Sequence, residues 1–162
     1  MSARLYKRPE SILVVVATRG GEVLMLRRTQ PADFWQSVTG SLRWGESPRS
    51  AAMRELWEET GIQTGSALVD LHHDVEFPIL PAWRTRYTPS SRFNREHWFA
   101  LWLPGRRLIR RNLDEHSEHC WLLWPRAAQR SSSWTNRDAI LTIFGAAPGT
   151  PLWNFSRSGC AK

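Results

Sequence analysis

Residues 40–62 read GSLRWGESPRSAAMRELWEETGI, a stretch that sets two glycines and five ionisable residues at fixed offsets. These seven positions are Gly40, Glu46, Arg54, Glu55, Glu58, Glu59 and Gly61. At average amino-acid usage, they would coincide by accident in roughly one window in 10⁸. The pattern therefore indicates a site with a specific chemistry rather than an ordinary charged surface.

The second half of this stretch predicts a helix. Ser47 can cap exposed backbone N–H groups, and Pro48 suits the first helical position. Residues 49–60 contain no glycine or proline, and Gly61 is the expected helix end. The side chains expected to face the protein interior are Ala51, Ala52, Met53 and Leu56.

This helix carries a cluster of carboxylates. Glu55 and Glu59 are one turn apart, and Glu58 follows Glu55 by three residues. Such a cluster is costly unless a cation binds, and hard divalent ions such as Mg²⁺ take oxygen ligands and share them with substrate phosphates. We therefore expect a Mg²⁺ site, with Mn²⁺ as the alternative ion and a backbone carbonyl of the Gly40 loop close to the metal. The competing interpretation, a solvated acidic face, is disfavoured by the flanking residues of the pattern.

Arg54 is placed to hold a carboxylate in position rather than to touch a substrate. It can pair with Glu46, which precedes the helix, or with Glu58, one turn further along. Glu46 and Arg54 are therefore predicted to support the metal site structurally.

Length and composition predict one domain over residues 1–146, followed by a flexible tail over residues 147–162. No stretch is long and apolar enough to span a membrane, and the N-terminus lacks the apolar core of a signal peptide. The cytoplasm is the expected location. Cys120 and Cys160 are too few for a disulfide framework or a zinc site.

The net charge of +7 comes almost wholly from arginine, because Lys7 and Lys162 are the only lysines. This balance favours an anionic partner, either a polyphosphate or a nucleic acid. The arginine stripe RRLIRR at residues 106–111 is interpreted as a solvated loop and strand edge. An RNA-binding role would need aromatic stacking groups beside it, which the ten tryptophans leave open. Between these two, a small-molecule polyphosphate is favoured over nucleic acid. No membrane partner is expected, and the protein is expected to be a monomer or a dimer.

The remaining sequence predicts a mixed α/β order. Predicted strands cover residues 11–18, 23–26, 35–39, 67–77, 96–103 and 119–123, with a tight turn at 19–22. A short helical turn is expected at residues 125–129. A helix is expected at 136–144, with Thr135 as its cap.

The pattern of residues 40–62 is similar to the Nudix box, the signature of hydrolases that cleave nucleoside diphosphates linked to another group and of related pyrophosphatases. The resemblance implies a Nudix fold, an α/β/α sandwich with a mixed central sheet. Outside the box, the chain resembles the bacterial dihydroneopterin triphosphate pyrophosphatases at residues 6–9, 11–15, 24–26, 33–41, 75–77, 86–87, 96–99, 115–116 and 133–137. This implies Mg²⁺-dependent hydrolysis of 7,8-dihydroneopterin triphosphate to the monophosphate and pyrophosphate, an early step in folate synthesis.

Catalytic roles follow from that resemblance position by position. Glu55 and Glu59 match metal ligands of the box, and Glu58 matches a ligand or the residue that activates water. Glu115 corresponds to a further carboxylate that approaches the metal from outside the box, and an exposed loop acid is the competing interpretation. The general base is expected to be Glu58 or Glu115.

Substrate-binding roles follow in the same way. Lys7 and Arg28 match basic positions suited to the triphosphate. Trp35, Trp134 and Asn136 are weaker candidates for the pterin end, where an aromatic face and an amide suit a flat, polar bicycle. A place in the core is an equally good interpretation of both tryptophans.

The loop of the box departs from the usual family pattern at two neighbouring positions. Arg43 and Trp44 stand in the box loop where acidic or small residues are more usual, and they are positioned to change how a substrate is clamped.

Arg27, the neighbour of Arg28, should point to the opposite side of the sheet from Arg28 if that segment is a strand.

Three functions remain compatible with the sequence. Hydrolysis of dihydroneopterin triphosphate rests on the extended resemblance. A Nudix pyrophosphatase for nucleoside triphosphates, including oxidised ones, needs only the box. A non-catalytic RNA-binding Nudix protein is suggested by the positive charge, although such proteins tend to lose box glutamates and this chain retains all of them.

Overall fold

The structure, a computed structural model, describes residues 5–146; the predicted tail at residues 147–162 and Cys160 lie outside the described residues. Its strands are β1 (Glu10–Thr18), β2 (Glu22–Arg28), β3 (Trp35–Gln36), β4 (Val38–Ser41), β5 (Leu68–Pro78), β6 (Phe93–Leu103) and β7 (His116–Leu123). Its α-helices are α1 (Pro48–Thr60), α2 (Trp124–Arg130) and α3 (Trp134–Ile143), and short 3-10 helices cover Gly65–Ala67 and Pro81–Arg86. Within residues 5–146, no helix is long and apolar enough to cross a membrane.

The strands form a seven-stranded mixed sheet with β1 near its centre. β1 pairs in parallel with β6 on one edge and antiparallel with β4 and β2 on the other. β5 pairs with β6, while β2 also pairs with β3 and β7. The single strand predicted at residues 35–39 is in fact two strands, because the chain changes its pairing partner from β2 to β1 at Ser37.

β1 divides its side chains between two hydrophobic cores. Its even-numbered residues from Ile12 to Val16 pack with α1, and its odd-numbered residues from Leu13 to Ala17 pack with α2 and α3. Successive side chains of a strand point to opposite faces, so helices cover both faces of the sheet. This confirms the predicted α/β/α sandwich.

Helix α1 begins and ends as predicted. The Ser47 side chain accepts a hydrogen bond from the Ser50 N–H, and Pro48 occupies the first turn. Gly61 ends the helix with φ of 74°, a left-handed conformation that favours glycine. The prediction for Met53 was wrong, since its side chain is 38% exposed on the outer surface of the helix.

Helix α3 begins two residues before its predicted start. Ser133, not Thr135, is the cap, and its Oγ accepts a hydrogen bond from the Asn136 N–H. Thr135 is instead buried against the sheet, where its side chain hydrogen-bonds Glu96. The other predicted elements are present, with ends displaced by at most a few residues.

Candidate active site

Glu55 and Glu59 lie on the inner side of α1. Both are buried although they are acidic, and Glu59 is only 2% exposed. Gly40 of β4 comes so close that a Cβ atom on it would lie 2.0 Å from Glu55 Cδ. Only glycine fits at this position without displacing Glu55, so the close approach of the two elements explains Gly40 in the pattern.

Arg54 holds the acidic side chains around it. Its Nε and Nη2 donate to the two Glu46 oxygens at 2.8 and 2.9 Å. Nη1 lies 2.6 Å from Glu55 Oε1 and 3.3 Å from Glu58 Oε2. Arg54 therefore contacts both partners suggested by the sequence, and Glu55 in addition. Hydrogen bonds from Arg54 lower the pKa of Glu46 to about 2, which keeps that carboxylate ionised.

The pKa values of the two inner carboxylates, Glu55 and Glu59, are raised rather than lowered. Burial raises the pKa of Glu55 to about 6 despite the neighbouring Arg54 guanidinium. Burial, followed by repulsion from Glu55 and Glu115, raises the pKa of Glu59 well above its ordinary value. A cation bound among these side chains would favour their ionised forms, so metal binding and proton release are coupled here.

The segment at the start of β7 completes the cluster. One ligand atom each from Glu59, Glu115 and His116 lies within 4.8 Å of the others. His116 is fully buried, and its Nε2 is 3.2 Å from Glu59 Oε2. Burial, with a smaller effect of the Arg28 charge, lowers the pKa of His116 to about 4, so its imidazole is neutral at neutral pH. The sequence pattern predicted no role for His116, because its contact with Glu59 depends on how β7 docks onto the sheet.

Glu58 lies on the solvent side of the other carboxylates. Its side chain is 41% exposed, and its two oxygens face the guanidinium groups of Arg43 and Arg54. Its charge still contributes to the raised pKa of Glu55. Glu58 is therefore close to the cluster but outside its buried part.

Lys7 and Arg28 lie with the carboxylates, as the sequence suggested, and Arg86 joins them. Partial burial and then the Arg86 charge lower the pKa of Lys7. Glu55, Arg28 and Glu115 also act on Lys7, which shows that these charges share one neighbourhood. Cations that repel one another are stabilised by a bound anion, so this group suits a polyphosphate.

Arg27 provides a contrast with its neighbour. It pairs with Asp33 at 2.5 Å and with Glu118 at 3.3 Å, away from the acidic cluster. Arg28 instead acts electrostatically on Glu59 and His116. The predicted opposite orientation of these two arginines is confirmed.

A cavity of about 360 Å³ opens beside the charged groups. It is lined by Leu5, Tyr6, Lys7, Arg8, Ser41, Leu42, Arg43, Trp44, Arg54 and Glu55. Its wall includes both unusual loop residues, and Trp44 Nε1 donates to the Tyr6 carbonyl at 2.9 Å. Arg8, for which no role was predicted, donates to the Glu46 carbonyl at 2.8 Å. The N-terminal segment and the loop before α1 are therefore tied together around the cavity.

Comparison with known proteins places this geometry in a family. A family model described as NUDIX domain matches residues 7–142. The chain belongs to the Nudix family. Dihydroneopterin triphosphate diphosphatase of Escherichia coli K12 is 46% identical over 144 residues, which cover 86% of this chain and 95% of that protein. The Haemophilus influenzae protein of the same name is 38% identical, over 83% of this chain and 87% of its own.

A solved structure supports the same relationship. The E. coli dihydroneopterin triphosphate pyrophosphohydrolase matches this chain with a TM-score of 0.80 and 45% identity. The match covers 88% of this chain and 99% of that one. The fold of this chain and its sequence pattern over residues 40–62 therefore both indicate the Nudix family.

Nudix hydrolases generally need a divalent metal ion, and the residues present fit one. Glu59 Oε2 is buried without a hydrogen bond from any described residue, because the approach of His116 is poorly aligned for one. Glu55 and Glu115 bring further carboxylates close to it. Such an oxygen-rich set suits a hard cation.

The residues predicted for the pterin end lie on the α3 side of the Nudix sheet. Trp35 is buried in that core, with the Arg130 guanidinium 4.9 Å from its ring centre. Asn136 is fully buried; its Oδ1 accepts the Ser37 N–H and its Nδ2 donates to Ser37 Oγ. Trp134, in the first turn of α3, is 48% exposed. These three residues therefore lie on the other side of the sheet from α1, which carries Glu55 and Glu59. Their roles in substrate binding stay predictions.

The arginine stripe at residues 106–111 is a loop without the predicted strand edge. Several of its guanidinium groups already have partners within the fold. These contacts are Arg106 with Glu22, Arg110 with the Trp57 ring and Arg111 with the His116 carbonyl. Such contacts favour a structural role for the stripe over RNA binding.

Proposed function

We propose that this protein hydrolyses 7,8-dihydroneopterin triphosphate to dihydroneopterin monophosphate and pyrophosphate. The observation that carries the proposal is the 46% identity to the E. coli dihydroneopterin triphosphate diphosphatase across 95% of that protein. The acidic cluster alone would support only metal-assisted attack on a diphosphate. The likeness extends well beyond the cluster, and so it supports a specific substrate.

Glu55, Glu59 and Glu115 are the side chains proposed to hold Mg²⁺, with Mn²⁺ as the alternative and the Gly40 backbone nearby. When bound, the ion polarises phosphate oxygens and lowers the pKa of a bound water. The proposal is supported by the unpaired Glu59 Oε2 and by the raised pKa values of Glu55 and Glu59. Arg54 Nη1 lies 2.6 Å from Glu55 Oε1 and holds that carboxylate in position.

Glu115 is the better candidate for the base that takes a proton from the attacking water. Both Glu58 oxygens already face guanidinium groups, those of Arg43 and Arg54. Glu115 is exposed and lies beside Glu59. A base needs a free acceptor oxygen within reach of the water, and Glu115 has a second oxygen beside the one that would hold the ion.

Lys7, Arg28 and Arg86 are proposed to bind the triphosphate. Their positive charges lie together, and the lowered pKa of Lys7 reflects its partial burial and the nearby arginine charges. They would offset negative charge that develops as the phosphoanhydride bond breaks.

Product analysis tests the proposed reaction. With Mg²⁺ and dihydroneopterin triphosphate, ion chromatography should show pyrophosphate and dihydroneopterin monophosphate in equal amounts, without orthophosphate. Glu115→Gln should also lower kcat much more than Glu58→Gln does, because only Glu115 is proposed to accept the proton from the attacking water. Orthophosphate as the product, or no product from a folded protein, would contradict the assignment.

A further inference from the structure

Glu96 is a buried carboxylate for which the proposed reaction has no use. It lies near the start of β6, on the sheet face toward α3, and is 5% exposed. Trp98 Nε1 donates to Glu96 Oε1 at 3.1 Å, and the Thr135 side chain also hydrogen-bonds Glu96. Within residues 5–146, no cation accounts for its position.

The contacts of Glu96 do not explain why this residue is acidic. Burying a carboxylate without a cation is costly, and burial raises the pKa of Glu96 to about 7. A glutamine could satisfy Trp98 and Thr135 equally well. An ionised carboxylate has about four acceptor sites, of which these two residues use two. The remaining acceptor capacity suits a ligand that presents two adjacent N–H donors.

Glu96 lies two strands away from β4, the strand whose Gly40 lies against Glu55 of the acidic cluster. It pairs with Ser11 of β1, and Ser11 pairs with Ser41 of β4. Residues paired across neighbouring strands project to the same face of a sheet. Two inter-strand spacings separate Glu96 from β4 by about 10 Å, a span comparable to a bicyclic ring with a short side chain.

The surroundings of Glu96 are polar and aromatic rather than aliphatic. Buried polar side chains on this face include Asn94, which donates to Ser11 Oγ, Thr135, which hydrogen-bonds Glu96, and Asn136, which donates to Ser37 Oγ. Trp98 lies beside Glu96, and the exposed Trp134 begins the helix that carries Thr135. A few placed polar groups among aromatic rings are typical of sites for flat heterocycles.

We propose that Glu96 recognises the heterocycle of the substrate. Its carboxylate accepts the ring N–H and the exocyclic amino group of a 2-amino-4-oxo ring. The inference rests on the proposed function, because the dihydropterin ring has this edge; guanine shares it and adenine lacks it. Glu96 thus determines specificity and takes no part in phosphoanhydride cleavage.

The test compares Glu96→Gln with the wild type on dihydroneopterin triphosphate, GTP and ATP. Glutamine replaces one acceptor with a donor, so kcat/KM for the first two substrates should fall by about 10- to 100-fold. The value for ATP should stay within about threefold, since ATP lacks the matching edge. Glu76→Gln, an exposed acid on the neighbouring β5, is the matched control and should leave all three values unchanged. An equal loss on all three substrates would overturn the proposal.

A second measurement needs no variant. Inosine triphosphate differs from GTP only by lacking the 2-amino group, so the wild type should prefer GTP by about tenfold. Equal rates would overturn the assignment of Glu96. Glu96-dependent GTP selectivity without pterin turnover would retain this assignment and reject the proposed function. Efficient pterin turnover with unchanged selectivity in Glu96→Gln would support the proposed function and reject the assignment of Glu96. If the wild type turned over none of these substrates, both the function and the assignment of Glu96 would be overturned.

Discussion

The two faces of the sheet near the start of β1 offer a substrate different chemistry. On the α1 side, Glu55 and Glu59 lie close to the charges of Lys7 and Arg28. On the α3 side, the buried polar groups include the amides of Asn94 and Asn136 and the hydroxyls of Ser37 and Thr135, and Glu96 is a buried acid without a cation among the described residues. The comparison suggests that reactivity and substrate choice are carried by separate residues. Changes on the α1 side should slow every substrate, and changes on the α3 side should alter selectivity.

The largest effect is expected for Glu59→Gln. It should lower kcat/KM for every triphosphate by about 10³-fold or more, because it removes a central charge from the metal site. The fold should persist, since burial already favours a neutral side chain at this position. Pyrophosphate release and thermal unfolding measure the two effects. Glu118→Gln, an exposed acid on β7, is the control; near-normal turnover of folded Glu59→Gln would contradict the metal assignment.

The α1 side could be predicted from sequence because its signals are local. Ser47, Pro48 and Gly61 define the helix, and the glutamate spacing places the carboxylates on it. His116 could not be predicted as a neighbour of Glu59, since that contact requires β7 to dock beside β2. Likewise, the position of Glu96 depends on the parallel pairing of β6 with β1. Pairing between distant segments has no local sequence signal, which is why the α3 side was only partly predictable.

The next effect concerns stability without metal. The pKa of Glu55, about 6, lies above its ordinary value of 4.5, so the folded state retains this proton to higher pH than the unfolded state. That stabilising contribution is fully present below pH 4.5 and is lost as pH rises through about 6, a change of about 2 kcal/mol. Urea unfolding in EDTA should show the wild type losing this amount relative to Glu55→Gln. Comparison with the variant cancels titrations that Glu55 does not influence, such as that of His116, and a pH-independent difference between the two proteins would contradict this expectation.

Arg28→Ala should raise KM for all triphosphates by about tenfold, because it removes one charged contact to the phosphates. Arg27→Ala is the matched control, since Arg27 is adjacent in sequence but pairs with Asp33 and Glu118. Its loss should change KM by less than about twofold. Steady-state kinetics on dihydroneopterin triphosphate and GTP would measure both variants. Equal effects of the two substitutions would mean that the cationic group beside the carboxylates does not bind phosphate.

The smallest effect is expected for Trp134→Ala. Loss of an aromatic surface near the heterocycle should raise KM for dihydroneopterin triphosphate by about fivefold and leave kcat nearly unchanged. Trp57→Ala provides a matched control, because Trp57 is a partly exposed tryptophan on the outer side of α1, against Arg110. A large fall in kcat for Trp134→Ala would contradict the proposal that residues on different faces of the sheet carry catalysis and substrate choice.

The proposed substrate is most directly tested by comparing the turnover of different triphosphates in the presence of Mg²⁺. Pyrophosphate release would be measured for dihydroneopterin triphosphate and for a panel of ribo- and deoxyribonucleoside triphosphates, with Glu59→Gln as the inactive reference. We expect kcat/KM to be at least about tenfold higher for the pterin than for any nucleotide. A nucleotide preferred over the pterin would contradict the proposed substrate and leave only the metal-assisted pyrophosphatase chemistry.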